Sequence, residues 1–164
     1  MPVMTITVNT DLPKEHLARF KTAMSDMSTA MIEIGESLTK YYSSEPFVSK
    51  GTIYGSQWQP LASTTSASKH RRYPANEQQP LVASGAMQQG FGYEATPLSV
   101  AVRNKVQVGS YNLLSIHQHG TDTAGRGHHI HIPARTVMAL NETLRQEIEV
   151  IVVEDVSKKI EATA

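Results

Sequence analysis

Five of the chain's seven histidines fall within fifteen residues, at His117, His119, His128, His129 and His131. Imidazole is a common zinc ligand and the side chain that most readily changes charge near neutral pH. Read as strands, His117/His119 and His129/His131 each put two rings on one face, because side chains alternate with a period of two. Two such strands folded around residues 121–126 would bring four nitrogens within reach of one zinc ion. The spacing fits no standard finger pattern, and among nearby residues only Asp122 is an acid that could orient a ligand. The competing reading is a polar loop whose histidines hydrogen-bond to backbone or water. It is the preferred one, and no cofactor is expected.

Other reactive arrangements are missing from the sequence. Cysteine is absent, which excludes disulfides, thiol catalysis and Cys-ligated zinc. No phosphate-binding glycine loop, G-x-S-x-G elbow or H-E-x-x-H pair occurs, and no carboxylates pair at a telling spacing. The chain therefore does not read as an enzyme. Lys+Arg and Asp+Glu number 15 each, so a globally basic nucleic-acid binder is excluded while a local patch is not. The densest basic run is Lys69-His70-Arg71-Arg72, which suits either phosphate contacts or a solvated loop.

These residues need elements to hold them. With 164 residues, 40% hydrophobic and 18% charged, one domain with its own core is expected over 1–164. The longest apolar runs, Val137–Leu140 and Val150–Val153, are four residues each, far short of a membrane span. The opening Met1-Pro2-Val3-Met4-Thr5 lacks signal-peptide character, so a soluble, unsecreted protein is expected. Thr5–Val8 alternates like a short strand.

From Pro13 to Tyr42 the apolar residues Leu17, Phe20, Met24, Met27, Met31, Ile34, Leu38 and Tyr41 recur at spacings of three and four, which predicts one long amphipathic helix. Asp11 is its candidate N-cap, and Gly35 is a weak point inside it. The stripe suits cover for the domain's own sheet, or a coiled-coil seam with a partner. Ser43–Pro80, rich in Ser, Gln, Gly, Pro and Thr, reads as a long central loop anchored by Trp58 and able to order on assembly.

Leu81–Gln89 suits a short helix with Ser84 as cap. Residues 91–93 read as a strand, and Ser99–Val102 with Lys105–Val108 read as a hairpin turning at Arg103-Asn104. Asn141 caps a C-terminal helix through Leu144, Ile148, Ile151 and Val152, with a strand alternative at Val150–Val153. The predicted class is α+β: a long N-terminal amphipathic helix packed on a small antiparallel β-sheet, a long central loop and a C-terminal helix.

Several segments resemble the phage virion morphogenesis family, the Mu-like G tail proteins. Tyr111-Asn112-Leu113-Leu114-Ser115-Ile116-His117-Gln118-His119-Gly120 is similar to its Y-a-x-i-H-Q-x-G signature, and Ile132-Pro133-Ala134-Arg135 to its I-P-A-R segment. Trp58-Gln59-Pro60-Leu61 resembles its W-x-P-L motif, and Pro80–Met87 its P-L-x-x-T/S-G-x-L segment. The order is the family's. His119 departs from it, standing where an aromatic residue is usual, as does Thr136 in place of a second proline.

The resemblance implies a structural virion protein without an active site. It would be a neck, tail-completion or head-tail connector component that assembles as a ring, hexameric by preference, and joins tail to head. Its neighbours would be head-connector and tail-tube or terminator proteins, with non-specific proximity to DNA in the channel and no membrane. It would reside in the virion, and in host cytoplasm during assembly. Candidate subunit or partner contacts are Trp58, Lys69, Arg71, Arg72 and Arg135. Arg135 is also expected to lock its corner by a charge-assisted hydrogen bond, and Gly120 to turn with positive φ.

Overall fold

A computed structural model describes residues 11–125, 127 and 129–162, with backbone alone for 11–13. The expected strand at Thr5–Val8 lies outside these residues, as do Arg126 and His128.

The continuous N-terminal helix is a pair instead. Helix α1 spans Asp11–Ser25 and α2 spans Ser28–Val48. Asp26 makes the break: its carboxylate accepts from the Ser28 amide at 3.0 Å and the Ser28 hydroxyl at 2.5 Å. The Met27 amide turns away from the helix to the Pro97 carbonyl at 2.9 Å. The local hydrogen-bonding capacity of Asp and Ser thus overrides an unbroken apolar stripe. Beyond the break Met27, Ile34 and Leu38 of the stripe are buried and Met31 and Tyr41 half-buried, with Ala30 and Tyr42 buried beside them, whereas Leu17, Phe20 and Met24 on α1 stay exposed.

The central segment is not an extended loop. Helix α2 runs on to Val48, short 3-10 turns form at Thr52–Tyr54 and Pro74–Asn76, and α3 covers Ser63–Arg72. Its basic run Lys69, His70, Arg71 and Arg72 occupies the last turn, where the lysine and arginine charges complement the carbonyl end of the helix. Helix α4 is only Ala86–Gln89, because Leu81 at φ 62° and Gly85 at φ 82° turn the chain before it. Gly85, not Ser84, stands at its N-cap.

Strand β1 (Phe91–Thr96) pairs antiparallel with β2 (Ser99–Asn104) across Pro97-Leu98. The predicted hairpin at Arg103-Asn104 is therefore displaced. Asn104 is buried, its amide donating to the Met87 carbonyl at 2.6 Å and its oxygen accepting from the Val106 amide at 3.1 Å, so it cannot serve as an exposed turn. Strands β3 (Gln107–Val108) and β4 (Tyr111–Asn112) pair next, followed by helix α5 (Leu113–His119). Strand β5 (Thr121–Ala124) pairs with β6 (Ile130–Ile132), and helix α6 (Glu142–Glu161) closes the described chain. The class is mixed α and β, as expected, but among the described residues the strands form three separate two-stranded ladders.

The Asn141 cap is as expected, its side chain accepting from the Leu144 amide at 3.0 Å. The helix prevails over the strand alternative at Val150–Val153 because Leu144 and Ile151, two helical turns apart, both reach the core. There they join Ile34, Leu38 and Tyr42 of α2. A second cluster comprises Phe47, Trp58, Val82, Met87, Leu114 and Val137. Phe91 and Met138 pack against both clusters and make them continuous.

Candidate functional site

The motifs singled out in the sequence meet around one segment without regular structure, residues 133–140. A strap of this kind has no ladder to satisfy its backbone, so its polar groups need partners elsewhere. Side chains supply them. Trp58 Nε1 donates to the Thr136 carbonyl at 2.9 Å, Tyr54 Oη to Val137 at 3.0 Å and Tyr42 Oη to Ala139 at 3.2 Å.

Gln118 contributes both ends of its carboxamide. Oε1 accepts from the amides of Val137 at 2.8 Å and Met138 at 3.1 Å, and Nε2 donates to the Met138 carbonyl at 3.0 Å. Arg135 closes the corner twice. Its amide donates to the His117 carbonyl at 2.6 Å, and its buried guanidinium donates to the Gln59 carbonyl from Nε at 3.3 Å and Nη2 at 3.1 Å. The expected charge-assisted bond is present, made to a carbonyl. Burial lowers the Arg135 pKa from its ordinary value.

Helix α5 explains the placement of the histidines. Asn112 caps it, accepting from the Ser115 amide at 2.9 Å, and Gly120 ends it at φ 71°. A Cβ on Gly120 would lie 2.8 Å from both the Ala134 amide nitrogen and the Ile132 carbonyl oxygen, so glycine lets the strap approach the helix end. The positive φ at Gly120 was expected; that it follows a helix was not.

On a helix, positions two apart point in widely different directions. The geometry that made His117 and His119 a pair of ligands is therefore overturned: His119 is exposed, while His117 turns inward. Its Nδ1 is buried with no hydrogen-bond partner. Burial first, and the Arg135 charge second, push its pKa down to about 4, so the ring is neutral at pH 7. His129 and His131 are exposed, and His131 Nδ1 lies 2.5 Å from the Asp122 carboxylate. Among the described residues no three potential ligands gather as a metal site would require.

The remaining candidates divide. Trp58 is buried against Phe47, the rings meeting edge to face at 5.9 Å. The Lys69 ammonium turns inward to the carbonyls of Gln79 and Val82, and burial lowers its pKa. Arg71 and Arg72 are exposed at the end of α3. An open groove of about 670 Å³ lies beside the strap, bordered by Leu61, Lys69, Leu81, His117, Ile132 and Arg135. Among the described residues that border it, no hydroxyl is hydrogen-bonded to a base. The side chains of the corner hold the strap in place.

The phage virion morphogenesis family model matches residues 8–157 of the chain. The chain belongs to that family. The match spans α2, the strap and most of α6, so every motif at the corner lies inside it. Membership of a phage virion morphogenesis family gives the chain a structural role in bacteriophage assembly, as its sequence motifs had implied. No curated protein and no solved structure matched it. Among the described residues no helix of this phage virion morphogenesis protein is long and apolar enough to cross a membrane.

Sequence reasoning missed Tyr42, Tyr54 and Asn104 as polar anchors. Hydroxyls and amides aimed at distant carbonyls leave no periodic trace. Helix α5 was missed as well, read as a strand through His117, although Asn112 and Gly120 stand at its two ends as helix cap and stop.

Proposed function

We propose that this protein is a neck or tail-completion component of a tailed bacteriophage, assembling as a ring at the head–tail junction and joining tail to head. The observation that carries this reading is the family match over residues 8–157. The corner supports it, because the family's motif residues there fix a backbone strap, an architectural task. A hexamer is the favoured ring, with a head-connector protein on one side and a tail-tube or terminator protein on the other. The protein would reside at the virion neck, and in host cytoplasm before assembly.

A ring is built from heterologous contacts between two different faces of each subunit. Equal numbers of acidic and basic residues avoid strong repulsion between copies. Arg71 and Arg72 at the exposed end of α3 are the side chains best placed to meet channel DNA, through phosphates and with no sequence preference. Disabling the gene tests the reading. Filled heads and complete but separate tails are expected by electron microscopy, and joined particles lacking the protein would overturn it.

A further inference from the structure

Helix α1 carries an apolar stripe that no other described element covers. Leu17, Phe20 and Met24 are 69%, 49% and 37% exposed, and spacings of three and four put them on one side of the helix. Lys21, also exposed, edges the same stripe. Elsewhere on the surface, α2 and α6 enclose a groove of about 450 Å³ bordered by Glu33, Ser37, Glu147, Val150, Ile151 and Glu154. Val150 is 55% exposed on that side of α6. Glu147 and Glu154 stand two helical turns apart on α6; Glu147 accepts from the Ser37 hydroxyl, and Glu154 meets Lys158 at 3.4 Å.

We propose that the α1 stripe of one copy docks in the α2–α6 groove of a second copy, and that this is the ring contact. Lys21 at the edge of the stripe and Glu33, Glu147 and Glu154 around the groove give the two faces opposite charge about an apolar centre. The two surfaces are different, as a closed ring requires and a two-fold dimer does not. The proposal rests on the ring reading above and adds the faces that meet.

The absence of cysteine makes the test clean. Full-length Phe20→Cys and Val150→Cys proteins are mixed under mild oxidation and resolved on a non-reducing gel, the products assigned by mass spectrometry. The expected product is the mixed disulfide dimer, in excess over either same-variant dimer. The double variant should give a ladder ending at a closed ring. A Leu98→Cys protein, its cysteine at the exposed β1–β2 turn, should couple to Val150→Cys at least about tenfold more slowly.

Predominance of the Phe20→Cys self-dimer would show α1 pairing with itself and overturn the proposal. So would an intrachain disulfide in the double variant, or coupling no faster than the Leu98→Cys control. Adding Lys21→Glu to the Phe20→Cys protein should slow the coupling, and Glu154→Lys on the Val150→Cys protein should restore it; an unchanged rate would remove the charge argument. The two readings fail separately. Correct cross-links with particles that join without the protein would end the neck reading alone, and separate heads and tails without cross-links would end this one alone.

Discussion

Gln118 serves the 133–140 strap as a neighbouring strand would, accepting from two amides and donating to one carbonyl. Truncating it leaves those groups unpaired in a half-buried corner, where each missing partner costs on the order of 1 kcal/mol or more. Gln118→Ala is expected to lower stability by about 2–4 kcal/mol, read as a lowered urea midpoint with an unchanged slope. His117, its neighbour, is a pH-sensitive liability. The fold holds its pKa at about 4, against 6.5 in the unfolded chain, so between those values the unfolded state binds more protons. Stability is therefore complete above pH 6.5, falls as the pH drops toward 4, and has nothing more to lose from this group below that. Allowing for solvent screening, the loss is about 2 kcal/mol. Asp26 and Glu77, whose hydrogen bonds hold their carboxyls below 3.8 and 4.5, act in a lower window. His117→Gln should flatten the urea midpoint between pH 4 and 6.5, and a slope identical to the parent would refute the assignment. Gln118 and His117 were visible in the sequence as parts of a signature, but their partners were not, because a contact reaching past the β5–β6 ladder to an irregular strap has no period to read.

At the scale of elements, Gly35 shows how far propensity can mislead. Within an exposed helix, Gly→Ala gains roughly 1 kcal/mol, and by that rule Gly35 is a defect in α2. Here α2 lies against the β1–β2 hairpin, and a Cβ at Gly35 would fall 2.3 Å from Cδ2 and 2.6 Å from Cγ of Tyr93. These atoms are at the root of the ring and cannot swing away as a flexible tip would. Gly35→Ala is expected to destabilise by about 1–3 kcal/mol through overpacking, and the same substitution beside Tyr93→Ala should recover much of that loss in a double-mutant cycle. A rise in thermal midpoint for the single variant would contradict this packing. Elements marked by end signals were legible: Asn141 and its spaced apolar residues announced α6. Where side chains compete with the pattern, the period failed. Asp26 and Ser28 cut a stripe that was continuous in the sequence, and buried Asn104 moved a hairpin by several residues. The serine- and threonine-rich composition of residues 63–72 resembled a loop, although a helix with a basic run at its carbonyl end forms there.

For the molecule as a whole, the proposed ring contact assigns folding and assembly to different residues, and this separation can be measured. The two core clusters, joined through Phe91 and Met138, draw on α2, α4, the strap and α6. The α1 residues Leu17 and Phe20 belong to neither, and remain 69% and 49% exposed. Exposed side chains outside a core shift stability little when replaced, usually within about 0.5 kcal/mol. For a chain of this size that corresponds to a thermal midpoint change of about 1–2 °C. Leu17→Ser with Phe20→Ser should therefore unfold at nearly the parental temperature while losing self-association in sedimentation and failing to restore joined particles to a phage lacking the gene. Gln118→Ala should show the opposite pattern, with a lower midpoint but assembly retained at temperatures where it is folded. Were the serine variant to unfold well below the parent, α1 would be part of the folding core, and its apolar stripe would need no partner to explain it.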